Sequence, residues 1–334
     1  MASARALLDE KCDDILRPAV HPASRPAVVI AGPTASGKSG LALALARHMD
    51  GVVINADSMQ VYGGLPILTA QPRPADQALA PHRLYGVLPP TEPCSAARWR
   101  HLATTEMEAA WGTGRLPIVV GGTGLYLRSL MQGLSPIPEI PEAVRGAVRL
   151  RLAELGNVAF HAHLTGRDRV MGARLQVGDS QRMVRALEVL EATGRSLADW
   201  QGEPLEGGVA AAWYSILLLP GRDLLAAACD GRFQAMVEAG ALHEVAAIMA
   251  LGLDPALPAM KALGLRELAA HLAGRMDLSS AVAAAQQATR QYAKRQRTWF
   301  RHQLNASEAI SEQLSESLMA TIFLKIRQFC LTPR

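Results

Sequence analysis

Short apolar runs rich in β-branched residues recur along the chain at Ala27 to Ala31, Gly51 to Asn55, Leu84 to Leu88, Pro117 to Gly121 and Tyr214 to Leu219. None alternates with polar residues, so each predicts a strand covered on both faces. Between them, apolar residues return at three- and four-residue spacing, the period of a helix with one buried side. Strands separated by helices predict an α/β fold, a mostly parallel sheet flanked by helices. The pattern changes between Pro136 and Gly207, where Pro141 to Leu155 and Asp179 to Thr193 read as helices and no run reads as a strand. That stretch predicts a helical insertion, because the run at 214–219 resumes the sheet after it. From Asp223 onward the pattern is helical and Ala-rich, broken once by Pro255 and Pro258. The expected organisation is a loose leader over 1–25, a first part of the core over 26–135, the insertion over 136–207, the rest of the core over 208–310 and a C-terminal tail over 311–334.

The most specific motif stands between the first strand and the first helix. Gly32, Pro33, Thr34, Ala35, Ser36, Gly37, Lys38 and Ser39 form a Walker A loop in the required strand–loop–helix context. Backbone N–H groups at a helix N-terminus converge there on phosphate oxygens, Lys38 adds a point charge, and Ser39 can ligate a phosphate-bound magnesium. The motif predicts that the chain holds a run of phosphates and leaves open what happens to them. An ATPase would show an apolar strand ending in Asp, but Ile118 to Val120 runs into Gly121, Gly122, Thr123 and Gly124. The apparatus for activating water is therefore not visible. These glycines either permit close approach to a ligand or serve a tight turn, and Thr123 offers a donor and an acceptor.

Asp57 comes directly off the second strand and is placed to accept a proton or bind an amino group, or else to serve as a helix N-cap. In the helix that Asp179 opens, Gln181 and Arg185 lie one turn apart outside the apolar stripe. Arg290, Lys294, Arg297 and Arg301 stack along one side of a later helix, with Tyr292, Trp299 and Phe300 interleaved and no acid from Thr289 to His302. Cations neutralise phosphates and aromatic rings stack on unpaired bases, so the stripe predicts looped or single-stranded RNA, against the alternative of a solvated face. Arg145 and Arg149 extend the same chemistry to the insertion. Arg222 and Arg232, after the last strand, could each reach a polyphosphate, and spacing does not choose between them.

Bulk properties narrow the class further. The 334 residues are 49% apolar with a formal charge of only +4, so local charge is the better guide to partners. Cys12, Cys94, Cys229 and Cys330 are scattered, which indicates neither a zinc knuckle nor a disulfide framework. No secretory signal is readable and no apolar stretch reaches the ~20 residues that span a bilayer, so a cytoplasmic protein without a membrane role is expected.

Taken in order, GPTASGKS, ADSMQVY, VGGTGLYL, DSQRMVRALEVLEATG and ATRQYAKRQRTWFR resemble the bacterial tRNA dimethylallyltransferase (isopentenyltransferase) family, from Val28 to Arg301. The resemblance implies transfer of a dimethylallyl group from its diphosphate to N6 of the adenine that follows the anticodon, in tRNAs reading codons that begin with U. It implies that Gly32 to Ser39 hold the donor's diphosphate, with Lys38 on the diphosphate and Ser39 on Mg2+. It implies catalytic roles for Asp57, as general base or orienter, for Lys38 and Thr123, and for Arg232 as a diphosphate contact.

The implied tRNA contacts are Asp57, Ser58, Met59, Gln60, Thr123, Arg145, Gln181, Arg182, Met183, Val184, Arg185, Lys261, Arg266, Lys294, Arg295, Gln296, Arg297 and Arg301. The implied partners are a tRNA anticodon stem-loop and dimethylallyl diphosphate, acting on a monomer. Gln71, Arg83 and Leu265 depart from the family's usual residues near the mouth of the site. The alternative reading of the same motifs is a small-molecule or nucleoside-phosphate kinase. A GTPase-like RNA-binding switch is disfavoured by the lack of an Asn-Lys-x-Asp motif.

Overall fold

Six parallel strands form the main sheet of the computed structural model, which describes residues 25–332. In chain order the strands are β1 (Pro26–Ala31), β2 (Gly51–Asn55), β3 (His82–Arg83) and β4 (Leu116–Gly121), then β5 (Gly133–Leu134), β6 (Glu206–Gly207), β7 (Ala212–Leu218) and β8 (Glu308–Ile310). The main sheet has the order β3-β2-β4-β1-β7-β8, while β5 and β6 pair separately as an antiparallel ribbon. Helices α1 (Lys38–His48), α2 (Pro74–Leu79), α3 (Ala96–Gly112) and α4 (Gly124–Met131) come first. Next are α5 (Glu142–Arg167), α6 (Arg169–Arg174), α7 (Ser180–Thr193) and α8 (Leu197–Gly202). The chain ends with α9 (Arg222–Glu238), α10 (Ala241–Ala250), α11 (Leu265–Leu272), α12 (Leu278–Gln303) and α13 (Glu316–Leu331).

Strand side chains alternate between two apolar layers. Val28 and Ile30 pack with Leu41 and Leu45 of α1 and with Ile322 and Ile326 of α13. Ala27, Val29 and Ala31 face the other way, toward Trp99 and Met107 of α3, Leu127 of α4 and Phe300 of α12. Both faces are covered, which is why these strands read as continuous apolar runs. The described residues divide into two compact units, one ending at Met131 and resuming at Val209, the other spanning Gln132–Gly208. The second unit has its own core, in which Val148, Phe160 and Leu164 of α5 pack with Met183 and Leu187 of α7.

Several expectations are corrected. The strand expected over Leu84 to Leu88 is displaced to His82–Arg83, because Leu84 (φ 63°) and Gly86 (φ 61°) turn into left-handed conformations that end extended chain. Leu88 keeps a single bridge, to Tyr62. The helix that starts near Pro141 continues beyond Leu155 to Arg167, interrupted at Gly156. The strand β8 escaped the helical reading of the C-terminal part, and residues 316–331 are no loose tail, since Ile322 and Ile326 are fully buried. The leader lies, apart from Arg25, outside the described residues.

Candidate active site

Because β1, β2 and β4 are parallel neighbours, the loops that follow them leave the sheet at one edge. After β1, the phosphate loop holds Ala35 at φ 60°, a strained position for a residue with a side chain. Packing against Leu225 and Cys229 of α9 and Ala293 of α12 keeps it there. Thr34 is fixed twice: its N–H donates to Gln296 Oε1 (2.8 Å), and its Oγ1 accepts from the Arg232 guanidinium (3.2 Å). Lys38 Nζ donates to the Pro33 carbonyl. Burial and the nearby Arg232 push the Lys38 ammonium from 10.5 down to about 7, with Asp57 pulling the other way. Burial also lowers Arg232, again opposed by Asp57. Beside them, Ser36 Oγ is buried without a hydrogen-bond partner. Two cations disfavoured by burial and a buried hydroxyl without a partner make a site suited to an anion.

Asp57, after β2, forms a local turn and still faces this site. Its N–H donates to Asn55 Oδ1 (2.8 Å), and its Oδ1 accepts from the Met59 N–H (2.9 Å). The next helix does not begin until Pro74, so the helix N-cap weighed from the sequence is not formed; the carboxylate instead closes this short turn, which fixes its position. Three phenols lie near that charge: Tyr85, Tyr126 and Tyr292 are all pushed up, mainly by burial and further by Asp57. They stay neutral at working pH.

The turn after β4 closes on protein. A Cβ at 121 would lie 2.1 Å from the Ala56 carbonyl oxygen, one at 122 would lie 2.3 Å from Gln296 Nε2, and one at 124 would lie 2.2 Å from the Trp299 ring. The glycines thus serve close packing of the chain on itself, and not a turn that demands a left-handed residue, since none of the three has a positive φ. Thr123 N–H donates to Ala56 O (3.1 Å), while Thr123 Oγ1 accepts from Ser58 N–H (2.9 Å) and donates to Ser58 Oγ (3.2 Å). Thr123, Ser58 and Asp57 are thereby brought together.

The remaining candidates separate by exposure. Lys261, Arg266, Lys294, Arg295 and Arg301 are exposed in the first unit, and Gln181 and Arg182 in the second. Gln60 donates to the Thr69 and Ala70 carbonyls, and Met59 packs against two apolar clusters, so both shape the following turn. Three expected tRNA contacts point inward instead. Met183 is fully buried in the core of the second unit, with Val184 partly buried beside it. Gln296 is only 6% exposed, and its amide is used at both ends, accepting from Thr34 and donating to the Gly122 carbonyl (2.8 Å).

In the second unit, Arg145 Nε donates to the Ile140 carbonyl, while Arg149 and Arg185 flank the buried Glu188 at 3.9 Å each. The basic stripe is partly engaged as well: Arg290 pairs with Asp230, and Arg297 donates to the Pro220 carbonyl. A cavity of about 290 Å³ opens between α9 and α12, lined by Arg222, Lys294, Arg297 and Arg301 above Leu225 and Cys229. Sequence reasoning missed Gln296 as a link between loops. Its signal was a long amide side chain on the mostly small and apolar stripe Ala285, Thr289, Ala293, Gln296, Phe300 of α12.

A parallel α/β sheet with a Walker A loop after β1, a fixed carboxylate after the strand two places away and Gly-Gly-Thr-Gly turning off β4 gives this site the architecture of a P-loop protein. The family model described as IPP transferase matches residues 60–303, and the chain belongs to that family. A tRNA dimethylallyltransferase of Paramagnetospirillum magneticum is 67% identical over 92% of this chain and 98% of its own length. One from Rhodospirillum centenum is 56% identical over 86% and 91%. The crystal structure of a full-length tRNA isopentenylpyrophosphate transferase from Bacillus halodurans is similar with a TM-score of 0.65 at 29% identity, covering 92% of this chain and 97% of that one. A eukaryotic dimethylallyltransferase captured acting on tRNA gives 0.69 at 28% identity over 83% and 70%.

Proposed function

We propose that the chain transfers a dimethylallyl group from dimethylallyl diphosphate to N6 of a tRNA adenine, the one following the anticodon in tRNAs that read codons beginning with U. The observation that carries this reading is the meeting of Lys38 and Arg232 on the phosphate loop, beside the fixed carboxylate of Asp57. N6 attacks the allylic carbon; the nitrogen–carbon bond forms as the carbon–oxygen bond breaks, and the electron pair leaves with the diphosphate. Lys38, Arg232 and the loop's N–H groups offset the charge that develops on the leaving group. Asp57 takes or orients the N6 proton as the amine becomes cationic. Thr123, bonded to Ser58, holds the adenine side of the site in register.

Magnesium fits these residues. The Ser39 hydroxyl stands in the exposed first turn of α1 and Ser36 Oγ is an unused buried oxygen donor, the hard ligands that suit this ion beside phosphates. When bound, it adds positive charge at the diphosphate oxygens. Among the described residues no cluster of three His, Cys, Asp or Glu offers a cage, so Ser39 would hold the ion together with the substrate. The adenine must leave its stack to reach this depth, which costs a few kcal/mol. Lys294, Arg301, Lys261 and Arg266 supply exposed cations for the tRNA backbone, and the second unit adds the exposed Arg182 cation and the exposed Gln181 amide. Lys38, Arg232, Asp57 and Thr123 all belong to one unit of one chain, so the reading needs only a monomer. No helix among the described residues is long and apolar enough to cross a membrane.

The test is incubation with labelled dimethylallyl diphosphate and an anticodon stem-loop carrying adenine after the anticodon. Label in the RNA at that adenine is the expected result. Tight ATP binding with phosphoryl transfer, and no label in RNA, would overturn the reading in favour of a kinase.

A further inference from the structure

Gln296 occupies a position that simple core packing does not explain. It lies on the buried face of α12, where its neighbours along the stripe are Ala285, Thr289, Ala293 and Phe300. A buried amide is costly unless both ends are bonded, and here they are bonded to two different loops. Oε1 accepts the Thr34 N–H of the phosphate loop, and Nε2 donates to the Gly122 carbonyl of the turn that carries Thr123. The approach at 122 is close enough that any Cβ there would collide with Nε2 at 2.3 Å. From Thr123 the bonds continue to Ser58, next to Asp57. On the other side, Thr34 is also held by Arg232. One side chain therefore joins the part of the site that takes the diphosphate to the part that takes the adenine.

We propose that Gln296 is a positioning residue that couples the two substrates: a ligand that orders either Thr34 or the Gly122–Thr123 turn orders the other through Gln296, so each substrate prearranges the loop that its partner meets. This rests on the transfer reading above and goes beyond it, since the resemblance assigns Gln296 only to tRNA contact. The physical basis is ordering: a ligand that meets a prearranged loop gives up less conformational freedom than one that must arrange it. Linkage requires the effect to be mutual, so RNA must tighten diphosphate to the same degree.

The experiment measures the affinity of the full chain for the anticodon stem-loop with and without inorganic diphosphate and magnesium, and the affinity for diphosphate with and without the stem-loop. In the unaltered chain each ligand is expected to tighten the other by about fivefold or more, within the usual range of such couplings. Gln296→Met keeps the volume and removes both hydrogen bonds; it is expected to bind each ligand alone and to lose the mutual gain. Gly122→Ala attacks the same contact from the opposite side, pushing the Gln296 amide away without replacing that residue, and is expected to lose the gain as well. A merely structural role predicts lower melting temperatures in both variants with the coupling intact. Coupling retained in Gln296→Met, or absent from the unaltered chain, overturns the inference while label transfer to RNA still stands. Absence of label transfer in the unaltered chain takes down the underlying reading and the inference with it.

Discussion

Lys38 pairs a strained charge with the task of binding one. Its ammonium, ordinarily near 10.5, is brought to about 7 by burial and by Arg232, so without a bound anion Lys38 is expected to lose this proton as pH rises past neutrality. Diphosphate favours the ammonium and must draw the proton back. Affinity for diphosphate is therefore expected to be greatest below about pH 7 and to weaken as pH climbs above it, by up to about tenfold per unit. Calorimetry at pH 8 in buffers of different ionisation enthalpy should register proton uptake on binding, and Lys38→Met, which removes the titrating group, should leave only the ligand's own contribution. Asp57 is the second residue whose role can be isolated. With Oδ1 spent on the Met59 N–H, its position is fixed before substrate arrives. Asp57→Ala is expected to slow single-turnover transfer by about 10²- to 10⁴-fold, the usual range for a lost general base, while stem-loop affinity falls little. Unchanged turnover would remove Asp57 from the proton's path.

Within α12 the stripe of cations resolves into two kinds. Arg290 is neutralised by Asp230, and Arg297 reaches inward to the Pro220 carbonyl, so neither is a simple solvated charge. Lys294 and Arg301 remain exposed. Replacing either with Ala is expected to weaken stem-loop binding and reduce the slope of log affinity against log salt by about one. Arg297→Ala strands a carbonyl and is expected instead to cost about 1–3 kcal/mol of stability, read by urea unfolding. The sequence made the periodicity of this helix plain, because spacing of four, three and four residues fixes which side chains share a side. It did not disclose Asp230, whose partner lies sixty positions away, and a lone glutamine on a mostly apolar stripe does not say which loops it will meet. Motif-bearing loops were legible for the opposite reason: Gly32 to Ser39, Asp57 and Thr123 each directly follow a strand, and parallel neighbours put their ends together.

At the scale of the whole molecule, the order of apolar runs disclosed a covered parallel sheet, because burial on both faces leaves no polar alternation to hide it. What stayed hidden was short or late: β8 is only three residues long, and α13 presents Leu324 and Leu331 to solvent, blurring its buried side. That helix nevertheless completes one apolar layer. Ile326→Ala is expected to destabilise the protein by about 2–5 kcal/mol in thermal or chemical unfolding, as for other buried aliphatic residues. A shift below 1 kcal/mol would return residues 316–331 to the status of a tail.

The sheet order carries one more consequence. The strand β1 lies between β4 and β7, and β7 is made only after the whole of residues 132–208. As the chain emerges from the ribosome, the phosphate motif precedes β7, so one flank of its strand stays bare until β7 appears, and the loop lacks Arg232 and Gln296 for longer still. A nascent chain halted before Ala212 carries every residue of the motif and no site. Competence to hold a phosphate chain is thus expected only once Gln296 has emerged, and the same dependence exposes the bare strand edge to mispairing until β7 is made.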